Sequence, residues 1–179
     1  PYQPEGIWEA VAMPQSNTRS YQEDKNDGLY RRSIYTFWKR TAPPPSMEIL
    51  NAPSREVSCV RRDQTNTPLQ ALVLMNDPQF IEACRNLAAH ALRASADPGT
   101  RMDFITLRLL GRTLDPEERA IVADSLQKIT ATFSSNPEAA ASLISTGASP
   151  VDHEIEKADL ATWTLVTSQI LNLDEAVTR

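Results

Sequence analysis

Apolar residues recur at helical spacing through most of the chain after residue 66, and nearly every run is introduced by a polar residue followed by proline. Thr67-Pro68-Leu69-Gln70 opens the first run. A threonine hydroxyl here accepts from the backbone N–H three residues on, and Gln70 reaches back to the first N–H, so the four residues spell a capping box. Proline at the next position has no N–H to leave unsatisfied, and its fixed φ suits a first helical turn. Leu69, Leu72 and Val73 are then expected to face inward. Asp77-Pro78 restarts the same grammar, and Phe80, Cys84, Leu87, Ala88, Ala91 and Leu92 hold the period to about Ala94. Asp97-Pro98-Gly99 reads as a turn before a helix over 100–111, with Ile105, Leu109 and Leu110 inside and Gly111 at its end. Asp115-Pro116-Glu117-Glu118 starts another helix, its carboxylates suited to the positive end of the helix dipole, with Val122, Leu126, Ile129 and Phe133 buried. Asn136-Pro137-Glu138 begins a shorter helix through Leu143 and Ile144 to Gly147. The last, over 154–172, packs Leu160, Trp163, Thr167, Ile170 and Leu171. No fixed period separates these starts, so the pattern is local grammar and not an internal repeat.

The first part of the chain reads differently. Residues 1–28 look like an N-terminal arm: Gly6 to Met13 has room for two helical turns with Ile7, Trp8 and Val11 on the apolar side, and 14–28 is polar and loop-like. Residues 29–40 hold a β-branched and aromatic run, Ile34-Tyr35-Thr36-Phe37-Trp38, which favours a strand. A second short strand is expected over 56–61, joined to the first through the stiff Ala42-Pro43-Pro44-Pro45-Ser46 segment; a helix over 29–40 is the alternative. The expected fold is therefore mainly α, an irregular bundle of about five to six helices, with the arm at 1–28 and one domain over 29–179. Within that domain, 29–66 is extended or a small β-hairpin and 67–179 is helical.

Composition sharpens this only slightly. The chain has 179 residues, 41% hydrophobic and 23% charged, which is ordinary for a globular protein. Thirteen prolines and five glycines argue for stiff connections. The net charge of −5 speaks against a nucleic-acid binder. That charge is uneven: residues 1–62 carry nine Lys/Arg against seven Asp/Glu, and residues 97–179 carry seven against thirteen. No apolar run is long enough to span a bilayer and no signal peptide is present. The start at Pro1-Tyr2-Gln3-Pro4, without Met, reads as a cut or processed end, so targeting signals are expected upstream.

Candidate chemistry is sparse. There is no glycine-rich phosphate loop, no GxSxG and no HExxH, and no catalytic residue is assigned. Cys59 and Cys84 form no CxxC; Cys84 falls on an apolar helix face and reads as a small buried hydrophobe, with a bridge to Cys59 as the alternative that nothing in the sequence supports. With His90 and His153 far apart, no metal site is expected. His153 reads as a capping or surface residue. The one dense polar cluster runs from Arg31 to Arg62. Arg31, Arg32, Trp38, Arg40, Arg61 and Arg62 are its candidate ligand-binding residues, with Lys39, Arg55, Tyr30 and Tyr35 interleaved. The arginine fork matches carboxylates, phosphates and sulfates, and the aromatic faces suit sugars or bases. The competing reading is structural: the arginines pair with the acidic second half or with a neighbouring domain.

The stretch 29–45, LYRRSIYTFWKRTAPPP, resembles the corresponding stretch of the planctomycete-type domain of unknown function 1553. Arg55 to Arg62, Thr65 to Leu72, and Asn76-Asp77-Pro78-Gln79-Phe80 resemble the same domain. So do Pro1 to Trp8, Leu110-Gly111-Arg112-Thr113, and Trp163-Thr164 to Asn172-Leu173-Asp174-Glu175. The resemblance implies a C-terminal domain of a large exported bacterial protein, periplasmic or at the cell surface. It implies a preceding partner domain and, in many members, a cytochrome-c-like domain near the N-terminus. Any haem would belong to that other part, and no cofactor is expected on this chain. No catalytic residue transfers. Three functions are weighed: a structural or interaction module packing on upstream domains, a binding module for an anionic polysaccharide or similar ligand, and part of an enzyme site shared with an upstream domain. In the third, Asp63 and Asn66 would line the cleft with the arginines.

Overall fold

The computed structural model describes residues 2–178. Among them there are helices and 3₁₀ turns and no strand. They fall into two compact units, residues 1–73 and 74–179.

The first unit is irregular. Helix α1, Ile7–Val11, is one short turn, and 3₁₀ turns occupy Asn26–Tyr30 and Ser33–Tyr35. Helix α2 is Pro45–Ile49, so the proline run ends by starting a helix. Trp8 of α1 meets Tyr21 edge-on at 5.4 Å between ring centres and Phe37 at 5.5 Å. Lys39 lies over the Trp8 ring at 5.1 Å and donates to the Thr18 carbonyl at 2.8 Å. An aromatic pile with one cation thus joins the arm to the 29–40 stretch. The expected hairpin does not form. Residues 34–38 and 56–61 carry no strand, and the reason is physical: a lone extended run must find a backbone partner and cover for both faces. Instead Tyr30, Ile34, Tyr35 and Phe37 lie exposed.

Helix α3, Pro68–Asn76, carries the chain from the first unit into the second. Its capping box forms as expected: Gln70 N donates to Thr67 Oγ1 at 3.2 Å, and Thr67 N to Gln70 Oε1 at 2.8 Å. Its inward face is not the expected one. Leu69 and Leu72 are more than half exposed, while Gln70 and Leu74 are buried. Gln70 goes inside because its amide also donates to the Ile49 carbonyl and to Thr65 Oγ1. A fully partnered amide is accepted where the apolar period would have placed leucine.

The second unit is a helical bundle: α4 Pro78–Ala94, α5 Pro98–Leu109, α6 Pro116–Ser135, α7 Pro137–Ile144, α8 Lys157–Leu171 and the short α9 Asp174–Val177. Helix α8 is its centre, packed by α4, α5, α6 and α7. Leu160, Val166 and Ile170 are sealed, with Ala88, Ala91, Ala140 and Ala161 letting helices approach closely. The threonines buried on α8 return their hydroxyls to the preceding turn: Thr164 to the Leu160 carbonyl and Thr167 to the Trp163 carbonyl, both at 2.7 Å. Each helix from α4 to α7 starts as the cap-proline grammar says, with Asp77, Asp115 and Asn136 accepting from the first turn. Asp97-Pro98-Gly99, expected as a turn, is instead a fourth cap: Asp97 Oδ2 accepts from Thr100 N at 2.7 Å and α5 begins at Pro98. Gly111 closes α5 with φ +69°, where a side chain would be strained.

Two charged residues that the pattern did not mark are buried in α4. Arg85 is 2% exposed and donates through Nη1 to the Ile144 and Thr146 carbonyls and through Nη2 to Ser149 O and Oγ. Glu82, 6% exposed, accepts from the N–H groups of Ala148 and Ser149. One residue takes the amides of the 145–150 turn and the other its carbonyls. Gly147, at φ +98°, lets this turn come down on Glu82.

Elsewhere Arg112 presents its whole fork to two carboxylates. Nη1 and Nη2 meet Glu118 at 2.7 and 2.8 Å, and Nη2 meets Glu175 at 2.7 Å. This ties α9 to the first turn of α6. No helix among the described residues is long and apolar enough to cross a membrane.

Candidate functional site

The sequence pointed to the arginine and aromatic residues between 29 and 62, and all of them lie in the first unit. The 3₁₀ turn Ser33–Tyr35 throws Ile34 and Tyr35 outward, at 74% and 72% exposure. Tyr30 and Phe37 are also exposed, and so are the side chains of Val57 and Val60. Arg31 and Arg32, just before the turn, are exposed and form no ion pair among the described residues. Arg62 is in the same state.

The other candidates are partly engaged. Trp38 is half-buried and receives the Arg55 guanidinium at 5.1 Å from its ring centre. Arg40 pairs with Glu56 at 3.6 Å, an exposed contact of small energetic weight. These two contacts bring residues 38–40 beside 55–56, so the limbs expected to pair as strands meet through side chains only. Arg61 donates to Gln64 Oε1 at 3.2 Å. Asn51 donates to the Asp63 carbonyl and to Thr65 Oγ1, fastening the base of the loop. Arg55 holds φ at +63°, a left-handed conformation costly for a side chain of this kind.

The first unit contains no histidine. Cys59 is an exposed free thiol whose contact is with the Arg61 carbonyl at 3.3 Å, and Cys84 is separate and buried, so no bridge joins them. No group of histidine, cysteine or carboxylate residues among the described residues is arranged to hold a metal ion.

The first unit also has a concavity of opposite character that the sequence did not mark. A half-open cleft of about 760 Å³ is lined by Tyr2, Gln3, Glu5, Glu9, Tyr21 and Glu23. The Tyr21 hydroxyl is pushed up to about 12, first by burial and then by the Glu23 and Asp24 carboxylates. An acidic cleft and an arginine-rich surface thus belong to one small unit, and no signal in the linear charge count separated them.

A family model described as PSD1, protein of unknown function (DUF1553), matches residues 2–126. No curated protein and no solved structure matches the chain.

Proposed function

From the premise that the chain belongs to the PSD1 family of proteins of unknown function (DUF1553), we propose that it is a structural and interaction module that docks on another domain of a larger exported protein. One observation carries this reading: Tyr30, Ile34, Tyr35 and Phe37 are exposed side by side in sequence, next to Arg31 and Arg32, which lack carboxylate partners among the described residues. Apolar and aromatic side chains rimmed by unpaired arginines are the composition of a protein interface and not of an ordinary solvated loop. The partner would offer an apolar depression edged by carboxylates.

The test uses the part of the parent protein that precedes this chain, produced separately and mixed with it. Co-elution on size exclusion is the expected result, lost in the double variant Ile34→Asp/Tyr35→Asp, whose melting temperature stays unchanged. Co-elution that survives both substitutions would remove the surface from the argument. Arg62→Ala is expected to leave the stability of the chain unchanged, since the side chain is exposed and forms no ion pair among the described residues.

The lack of ion pairs at Arg31, Arg32 and Arg62 among the described residues also supports a second reading, an anionic polysaccharide held by the same surface. Retention on immobilised sulfated or carboxylated glycans that falls with salt, and falls again in Arg31→Ala/Arg32→Ala, would favour it. Silence across such an array would retire it.

A further inference from the structure

The chain has two histidines, one near the end of α4 and one in the turn before α8. In the folded second unit both line one cleft, of about 410 Å³, together with Arg93, Asp152, Glu154 and Asn86. We propose that this cleft is a binding site for a small neutral ligand rich in hydroxyl groups, the size of one or two sugar rings. The inference does not rest on the docking surface of the first unit.

The wall of the cleft is held from beneath. The 145–150 turn, mostly on the surface, is gripped by the two buried charges of α4: Glu82 takes its amides and Arg85 its carbonyls. Removing charges from water is expensive, and here the cost is offset by hydrogen bonds to the backbone of the turn. What the arrangement secures is a fixed position for Ser149, Pro150 and the residues that follow. Asn86 adds a further tie, donating to Ser149 Oγ at 3.1 Å. At the mouth, Arg93 meets the Asp152 carboxylate, whose second oxygen accepts from Glu154 N at 3.1 Å. The polar groups are thus placed before any ligand arrives, which is what limits the entropy lost on binding.

The charge pattern selects the ligand class. The formal charges of the lining arginines, Arg85 and Arg93, cancel those of Asp152 and Glu154, and since Arg85 is 2% exposed with both Nη atoms on the 144–149 segment, Arg93 is the guanidinium a ligand reaches. An anion would meet two carboxylates, and a cation would meet the Arg93 guanidinium. A hydroxyl both donates and accepts, so a polyol satisfies carboxylates and guanidinium or imidazole N–H groups in the same wall. Ala89, Val151 and Pro150 supply an apolar strip for the C–H side of such a ligand. The volume lies within the usual range for small-ligand pockets, about 300–1,000 Å³.

The two histidines make the test direct, because every imidazole C–H signal in a proton NMR spectrum reports on this cleft. His90→Gln and His153→Gln assign the two signals. The chain is titrated at pH 7.5 with a panel of neutral methyl glycosides and β-linked disaccharides, and separately with inorganic phosphate and with putrescine. The expected result is a saturable shift of both signals with at least one neutral sugar, and saturation with neither ion. Arg93→Gln, at a largely exposed position, is expected to weaken that binding about tenfold or more with the melting temperature kept. Silence across the sugars, saturation by phosphate or putrescine instead, or unchanged binding in Arg93→Gln would each overturn the proposal.

Discussion

Replacing Arg85 with methionine keeps most of the buried stem and deletes the guanidinium, so it isolates the grip on the 145–150 turn. The guanidinium makes four hydrogen bonds, two through Nη1 to the Ile144 and Thr146 carbonyls and two through Nη2 to Ser149. A hydrogen bond to a charged donor contributes about 1.5–3 kcal/mol net. Ser149 is half-exposed, so water replaces much of what Nη2 gives it. Ile144, 3% exposed, has no such recourse. The two bonds through Nη1 then set the scale, about 3–5 kcal/mol, the same range as breaking a buried charged contact elsewhere. With a urea slope of about 1–3 kcal/mol per molar, the unfolding midpoint drops by about 1–5 M, read by circular dichroism and tryptophan fluorescence. Arg85→Lys recovers little, because a single ammonium cannot reach both strands of the turn as the planar fork does. Glu82→Gln combined with Arg85→Met is expected to be less damaging than the sum of the single changes, since both hold the same turn. A midpoint for Arg85→Met within about 0.3 M of the parent's, on the same slope, would refute the reasoning and make the turn self-supporting.

Further outcomes follow from other contacts. Gly147→Ala places a side chain at φ +98° with its Cβ 2.7 Å from Glu82 Cβ, so it should destabilise by more than the 1–2 kcal/mol of left-handed backbone alone, measured by urea unfolding. Glu118, held at about 2 by the Arg112 fork against its ordinary 4.5, contributes stability that is fully present above pH 4.5 and is lost as the pH falls toward 2. Arg112→Gln should flatten the stability profile in that window, and an unchanged acid limb would sink the assignment. A thiol reagent should modify Cys59 at once and reach Cys84 only on unfolding. Burial pushes the Cys84 thiol up to about 12, and two fast equivalents would contradict its placement.

Much of the helical layout was legible before folding. Thr67 with Gln70, Asp77, Asp115 with Glu118, and Asn136 all cap as their spacing says. Asp97 carries the same signal, but the Pro98-Gly99 that follows it also spells a turn. The cluster of arginine and aromatic residues between 29 and 62 was also legible, since it is a matter of composition along the chain. Its conformation was not. A β-branched, aromatic run has strand propensity, but propensity supplies no partner backbone; its first two residues close a 3₁₀ turn, and Ile34, Tyr35 and Phe37 are left exposed.

What the sequence determined by itself is whatever closes within about four residues: the caps, the proline starts, the end at Gly111 and the helical character of residues 67–171. What only the tertiary structure decided is which face each helix buries and which distant charges meet. Period alone made Leu69 and Leu72 candidates for the core, but Gln70 went inside because Ile49 and Thr65 were there to receive its amide. Glu82 and Arg85 are accepted inside because the 145–150 turn brings its amides to the Glu82 carboxylate and its carbonyls to the Arg85 fork. His90 and His153, Arg93 and Asp152, and Arg112 and Glu175 are each about 60 residues apart and share a place only in the folded unit. A local pattern carries the geometry of one helix. It does not carry the identity of the neighbour, and the energy of a buried charge depends on that neighbour almost entirely.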